Sequence, residues 1–368
     1  MIDKSLEIKE RAPENLLTID NAFADGSSTM TYLGRNDGII RVSLELIRQK
    51  PDRILMLGCG PYELWTTAGQ AKLWEDTLEI VGVDINPKIV NLNQRIKEKG
   101  AIAIAEIAPL VGNPIFGMDR HRNSEDLLRE SDIHGIGINE DAIEIDLKNR
   151  NPVRIEPPAD ALTYVENATP NSFSFIFAGN LENNLVFQQG YTLEKAIGFR
   201  RLIARLLKPQ GIYAFTTNDL FFNEQTPNST RNVLQVLDSS GLEILYKATQ
   251  LTHVLEKDGK RYLSDNCGLI TARKGEFETF PNGDRSIELI RKRLVEYRPD
   301  FEFVENSGSF EDFKHSLENQ TNIAIIKIGK DQFHWFNVEG SYKDVFGRLA
   351  QSNTGFYPEL FTALVTPN

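Results

Sequence analysis

Two short apolar runs, each cut off by a turn and followed by helical spacing, constrain this chain more than any other feature. Arg53-Ile54-Leu55-Met56-Leu57 stops at Gly58-Cys59-Gly60-Pro61, and apolar residues then recur at helical intervals from Leu64 to about Trp74. Ile80-Val81-Gly82-Val83-Asp84 stops at Ile85-Asn86-Pro87, where Asn86 is a good N-cap and Pro87 a good first helical residue. The helix that follows turns Ile89, Leu92 and Ile96 inward and ends near Lys97, Lys99 and Gly100. Short unbroken apolar runs read as buried strands, and strands that alternate with helices pair in parallel through right-handed crossovers. The expected fold class is α/β, with a mostly parallel sheet.

Further along, Ser172–Ala178 reads as a buried strand ending at Gly179-Asn180. A helix carrying Leu193, Ala196, Ile197, Leu202, Ile203, Leu206 and Leu207 is closed by Lys208-Pro209-Gln210-Gly211, and Ile212–Thr217 is the next strand. A helix over about Thr230–Ser239 leads to Leu242–Val254 and Arg261–Ala272, an antiparallel terminal hairpin with an Asp258-Gly259 turn signal. Between residues 101 and 158 the pattern loosens, and this stretch is expected to be an insertion whose polar part, 119–130, is a lid. Residues 1–50 form an irregular lead and one helix that starts at Asn36-Asp37-Gly38, with Ile39, Ile40, Val42, Leu44 and Ile47 as its apolar stripe. Composition breaks at Lys274–Asp284, and residues 276–368 alternate helix and strand as a smaller C-terminal α+β unit. The expected division is 1–50, 51–274 and 276–368.

The chain has 368 residues and a net charge of −11, from 41 Lys+Arg against 52 Asp+Glu. A nucleic-acid partner is disfavoured, because phosphate binding needs local positive potential and no basic run supplies it. Cys59 and Cys267 allow neither a disulfide framework nor a zinc pattern, and His121, His134 and His253 lack metal-ligand spacing, so no metal is expected. The first residues mix both charges without an apolar stretch, and no run reaches the ~18 residues of a membrane span. The expectation is a cytoplasmic protein with no membrane partner.

Gly58 and Gly60, flanking Cys59 at a strand end, let the backbone turn sharply and approach a ligand, while the following helix offers free N–H groups. A dinucleotide fingerprint requires a further glycine where Glu63 stands, which argues against a pyrophosphate there. Asp84, at the tip of the neighbouring strand, is placed to accept both ribose hydroxyls of a nucleoside; its alternative is a capping role. Ala178-Gly179-Asn180-Leu181-Glu182-Asn183 lies at the carboxyl end of a further strand, where ligands sit in open α/β sheets. There Asn180 can hold a ligand by its carbonyl or orient a nucleophile, and Glu182 can act as a base, against the alternative of a strand cap with a solvated acid. Tyr32, Phe221 and Phe222 are candidate apolar walls, and Arg120 and His121 fall in the candidate lid.

With these motifs in order, the chain resembles the class I, Rossmann-like S-adenosylmethionine-dependent methyltransferases over roughly Ile39 to Lys274. ILMLGCGPYE is similar to the family's first motif and VGVDINP to its second. The Pro158-Ala159-Asp160-Ala161-Leu162 segment resembles its Asp-Ala element, and LLKPQGIYAFTT its helix–Pro–Gly–strand step. The resemblance implies S-adenosyl-L-methionine as cofactor, Asp84 with Ile85 at the ribose, and Asp160 and Ala161 at the adenine, with Asp146 as a rival. Met56 stands where the family has an acid, which shifts the contact with the methionine amino group to Glu63. A glycine is also common where Tyr62 stands. The implied activity is in-line methyl transfer to an N or O nucleophile of a small molecule or peptide. Its alternative on the same cofactor is aminobutyrate transfer or cyclisation with release of methylthioadenosine. The C-terminal unit is expected to cap the site or to form a homodimer.

Overall fold

A computed structural model describes residues 36–47, 52–60, 63–64, 67–68, 79–99, 153–179, 181, 192–218, 237–257, 260–277, 283–297, 299–317 and 321–339. Its strands are β1 (Arg53–Leu57), β2 (Glu79–Val83), β3 (Val153–Ile155), β4 (Phe173–Gly179), β5 (Leu207–Asn218), β6 (Leu242–Lys257), β7 (Lys260–Arg273), β8 (Phe303–Gly308), β9 (Thr321–Lys327) and β10 (Phe333–Val338). They form one ten-stranded sheet in the order β3-β2-β1-β4-β5-β7-β6-β9-β10-β8. Its main helices are α1 (Asp37–Leu46), α2 (Pro87–Lys99), α3 (Ala161–Asn167), α4 (Leu193–Leu206), α5 (Gly283–Tyr297) and α6 (Phe310–Leu317).

The central strands are apolar on both faces because helices cover both. In β1, Ile54 and Met56 face a core shared with Ile39 and Ile40 of α1 and Ile290 of α5. Leu55 and Leu57 face the opposite core, with Val165 of α3, Phe199 and Ile203 of α4, and Phe313 of α6. β3, β2, β1, β4 and β5 pair in parallel. From β1 the chain winds out through β2 to β3, then returns to β4 on the other side of β1. The strand order therefore switches between β1 and β4, and the space beyond their carboxyl ends is the usual ligand position in such sheets.

The structure departs from the sequence expectations in three places. Val153-Arg154-Ile155, inside the expected insertion, pairs with β2 as the edge strand, with Ile80 opposite Val153 and Gly82 opposite Ile155. It is too short to show a period, and only Val153 and Ile155 point inward. β5 begins at Leu207 instead of Ile212, absorbing Lys208–Gly211 through a register shift with Gln210 at φ +59°.

The third departure concerns the C-terminal strands, which continue the main sheet. Tyr246, Lys247 and Ala248 of β6 lie opposite Ile326, Ile325 and Ala324 of β9. Lys327, buried in β9, donates to Glu243 Oε2 at 2.7 Å and to the Phe277 carbonyl at 2.9 Å, tying the two parts together. The sheet is thus parallel up to β5 and antiparallel from there to β8. Pairing between β6 and β9 joins segments far apart in sequence, which no local pattern reports. Tyr32, Arg120, His121, His134, Asp146, Phe221 and Phe222 lie outside the described residues, as does the segment 119–130. Among the described residues, no helix is long and apolar enough to cross a membrane.

Candidate functional site at the switch of strand order

The turn after β1 has the backbone its glycines foretell. Gly58 sits at φ +58° and Gly60 at φ +54°, where any L side chain adds roughly 1–2 kcal/mol of strain. Between them, the Cys59 N–H donates to the Val83 carbonyl at 3.1 Å, extending the β1–β2 pairing by one step. Its thiol points into the core. Burial and the nearby negative charges of Asp84 and Glu63 push that thiol well above its usual range, so it stays protonated. Gly82 makes the fit possible, since a Cβ there meets Leu64 at 2.9 Å and Cys59 Sγ at 3.3 Å. Asn93 of α2 is fully buried and donates from Nδ2 to the Gly60 carbonyl at 2.8 Å, pinning the turn. The sequence signal for Asn93 is a polar residue one turn after Ile89 on the inward stripe of α2.

Asp84 follows β2 and faces this turn. Its Oδ2 accepts from the Gly60 N–H at 3.2 Å and its Oδ1 from the Asn86 N–H at 2.9 Å. Burial raises its carboxyl from an ordinary 3.8 to about 6, against the pull of backbone N–H groups of Asn86, Gly60 and Ile85. A carboxylate has about four lone-pair positions, so these bonds orient it without exhausting it. Next to it Ile85 leaves 50% of its surface exposed, an apolar side chain beside the acid.

The chain after β3 stays beside the end of β2. Glu156 N–H donates to the Gly82 carbonyl and Ala159 N–H to the Asp84 carbonyl, both at 3.0 Å. Asp160 comes next and has a local task. Its Oδ1 caps α3, accepting from the Thr163 N–H at 3.0 Å and the Thr163 hydroxyl at 3.2 Å. Ala161 turns its methyl into the core under α4. Asn180 and Glu182 lie outside the described residues. Between them, Leu181 packs over the turn, with Cδ1 3.2 Å from where a Cβ on Gly58 would stand.

A second polar cluster lies across β1, β4 and β5 on the α1 face. Asn36, at 3% exposure, donates from Nδ2 to Glu63 Oε1 at 3.0 Å, and Glu63 itself is 7% exposed. The Thr216 hydroxyl, on β5, donates to Asn36 Oδ1 at 3.3 Å. Gly179 ends β4 directly beneath, where a Cβ would come within 2.8 Å of Asn36 Nδ2. The sequence marked Glu63 and read Asn36 only as the start of a helix. Thr216 carried no signal beyond its strand.

No family model matches the chain, and no curated protein matches it. Solved structures similar to it include S-adenosylmethionine-dependent methyltransferases. One, from Methanosarcina mazei, is 12% identical with a TM-score of 0.35, covering 62% of this chain and 96% of its own. Another, from Clostridium acetobutylicum, is 12% identical with a TM-score of 0.39, covering 70% and 100%. A probable spermidine synthase from Corynebacterium glutamicum is 15% identical with a TM-score of 0.38, covering 70% and 71%.

Proposed function

We propose that this chain binds S-adenosyl-L-methionine across the carboxyl ends of β1, β2 and β4 and transfers its methyl group to an N or O nucleophile of a small molecule or peptide. The observation that carries this reading is Asp84. It is a partly buried carboxylate, raised to about 6 and steered by two N–H groups toward a turn that glycines make without strain. Such an acid suits a pair of vicinal hydroxyls, which donate to it without adding charge. The residues present fit the cofactor in three further ways. Gly58 and Gly60 turn the backbone sharply with no side chain of their own, and Ile85 offers an apolar surface beside the acid. Glu63, held by Asn36, supplies a second carboxylate, suited to the ammonium of an amino-acid arm.

When bound, the cofactor supplies an activated methyl on a sulfonium. The nucleophile's lone pair would take that methyl, with the sulfur leaving with the electron pair of the S–CH3 bond. The chain's part is to hold the nucleoside at Asp84 and Ile85, the arm at Glu63, and the adenine near Asp160 and Ala161. Asn180 and Glu182 are proposed to orient or deprotonate the nucleophile. Alignment alone can account for ~7–11 kcal/mol of the barrier, so no strong set of catalytic acids is required. The net charge of −11 supports a small molecule or peptide over nucleic acid.

Product analysis tests the chemistry. Incubation with cofactor and a metabolite pool should yield S-adenosylhomocysteine. Methylthioadenosine as the only nucleoside product would replace methyl transfer with transfer of the aminobutyrate arm.

A further inference from the structure

The helix start at Asn36 breaks a local rule. Asparagine is among the best N-caps because its side-chain oxygen accepts from an N–H in the first turn. Asn36 stands at the N-cap of α1, yet its side chain makes no cap hydrogen bond. It is directed inward, to Glu63 and Thr216. A local preference given up without local return is the mark of a residue serving a site.

The two partners fix its orientation. A carboxylate oxygen can only accept, so the amide nitrogen must face Glu63, and the amide oxygen then takes the Thr216 hydroxyl. Gly179 is part of the same arrangement, since any side chain there collides with the amide nitrogen. A neutral amide steers a carboxylate and leaves its negative charge in place, whereas a lysine or arginine there cancels it. The amide therefore orients the carboxylate at the end of β1 without itself neutralising it. Asp84, with its suit for a ribose, follows β2, across β1 from the strands β4 and β5 whose Gly179 and Thr216 meet Asn36.

We propose that Asn36, locked by Thr216, is a positioning residue that sets the Glu63 carboxylate to receive the ammonium of the cofactor's amino-acid arm. This rests on the proposed function. The inference divides the ligand in two, because Asn36 serves the arm and leaves the nucleoside untouched.

The test compares S-adenosylmethionine with methylthioadenosine, which keeps the nucleoside and lacks the ammonium-bearing arm, by titration calorimetry on the full chain. Glu63→Gln should weaken S-adenosylmethionine at least tenfold and methylthioadenosine less than twofold. Asn36→Ala should show the same selectivity at about five- to tenfold, and should add little when combined with Glu63→Gln. Thr216→Val, nearly isosteric, should give a smaller selective loss that Thr216→Ser restores, which keeps the test open if Asn36→Ala fails to fold. Equal losses for both ligands, or full additivity of Asn36→Ala with Glu63→Gln, would overturn the positioning role while leaving cofactor binding intact. Wild-type protein that binds neither ligand overturns the proposed function, and this inference with it.

Discussion

Replacing Asp84 by asparagine should make the free protein more stable and its ligand binding weaker. Burial holds this carboxyl at about 6 against an ordinary 3.8, so ionising it costs the folded state stability. Those two values differ by a little over two pH units, or about 3 kcal/mol at 1.36 kcal/mol per unit. A carboxyl raised on folding takes up protons that the unfolded chain releases, so the penalty is absent below about pH 3.8, grows through the interval, and is complete above about pH 6. The asparagine side chain of the Asp84→Asn variant has no such ionisation. Its amide nitrogen cannot accept, however, so one of the bonds from Gly60 and Asn86 is lost at about 1 kcal/mol. The net expectation is a gain of about 2 kcal/mol at pH 8, shrinking by roughly 1.4 kcal/mol at pH 5, measured by urea denaturation. In the same protein, S-adenosylmethionine should bind about 10- to 150-fold more weakly, since hydrogen bonds to a charged group are worth roughly 1.5–3 kcal/mol. A variant that loses stability at pH 8 would identify Asp84 as a turn-maker only. Unchanged affinity in a folded variant would remove it from the ligand site.

Three further outcomes follow from the same geometry. Affinity for S-adenosylmethionine should fall as pH drops below about 6, approaching tenfold per unit, because the proton competes for the Asp84 oxygens; a flat profile in calorimetry between pH 5 and 8 contradicts this. Asp160→Asn should leave stability nearly unchanged, as Asn caps a helix as well as Asp, whereas Asp160→Ala should cost about 1 kcal/mol in urea denaturation; if Asp160 also meets the adenine, the Asn variant weakens cofactor binding. Lys327→Met should destabilise by roughly 3–5 kcal/mol by stranding the Glu243 carboxylate, and adding Glu243→Leu should recover most of that loss.

The residues legible in the sequence are those whose task is set by their own backbone. Gly58 and Gly60 need left-handed torsions, and Asp84 sits where a strand must end, so a short window reveals all three. Asn36 was visible only as a helix start, because its partners lie 27 and 180 residues away and come together through the sheet. Asn93 belongs to the same class, holding a turn 33 residues upstream. The edge strand β3 escaped notice because three residues carry no period. The continuation of the sheet into β9, β10 and β8 escaped because register between distant strands is a property of the whole fold. Asp160 shows the reverse limit: a family resemblance singles it out, and the structure gives it a capping task that the resemblance does not separate from a ligand contact.

The central claim is that the chain holds S-adenosyl-L-methionine beyond the carboxyl ends of β1, β2 and β4 through Asp84, and a competition titration tests it most directly. Purified full-length chain should bind S-adenosylmethionine with one-to-one stoichiometry, and S-adenosylhomocysteine should displace it. NAD, whose pyrophosphate has no glycine to approach where Glu63 stands, should not displace it. Binding of NAD in place of S-adenosylmethionine, or the same S-adenosylmethionine affinity in wild type and Asp84→Asn, would contradict the account.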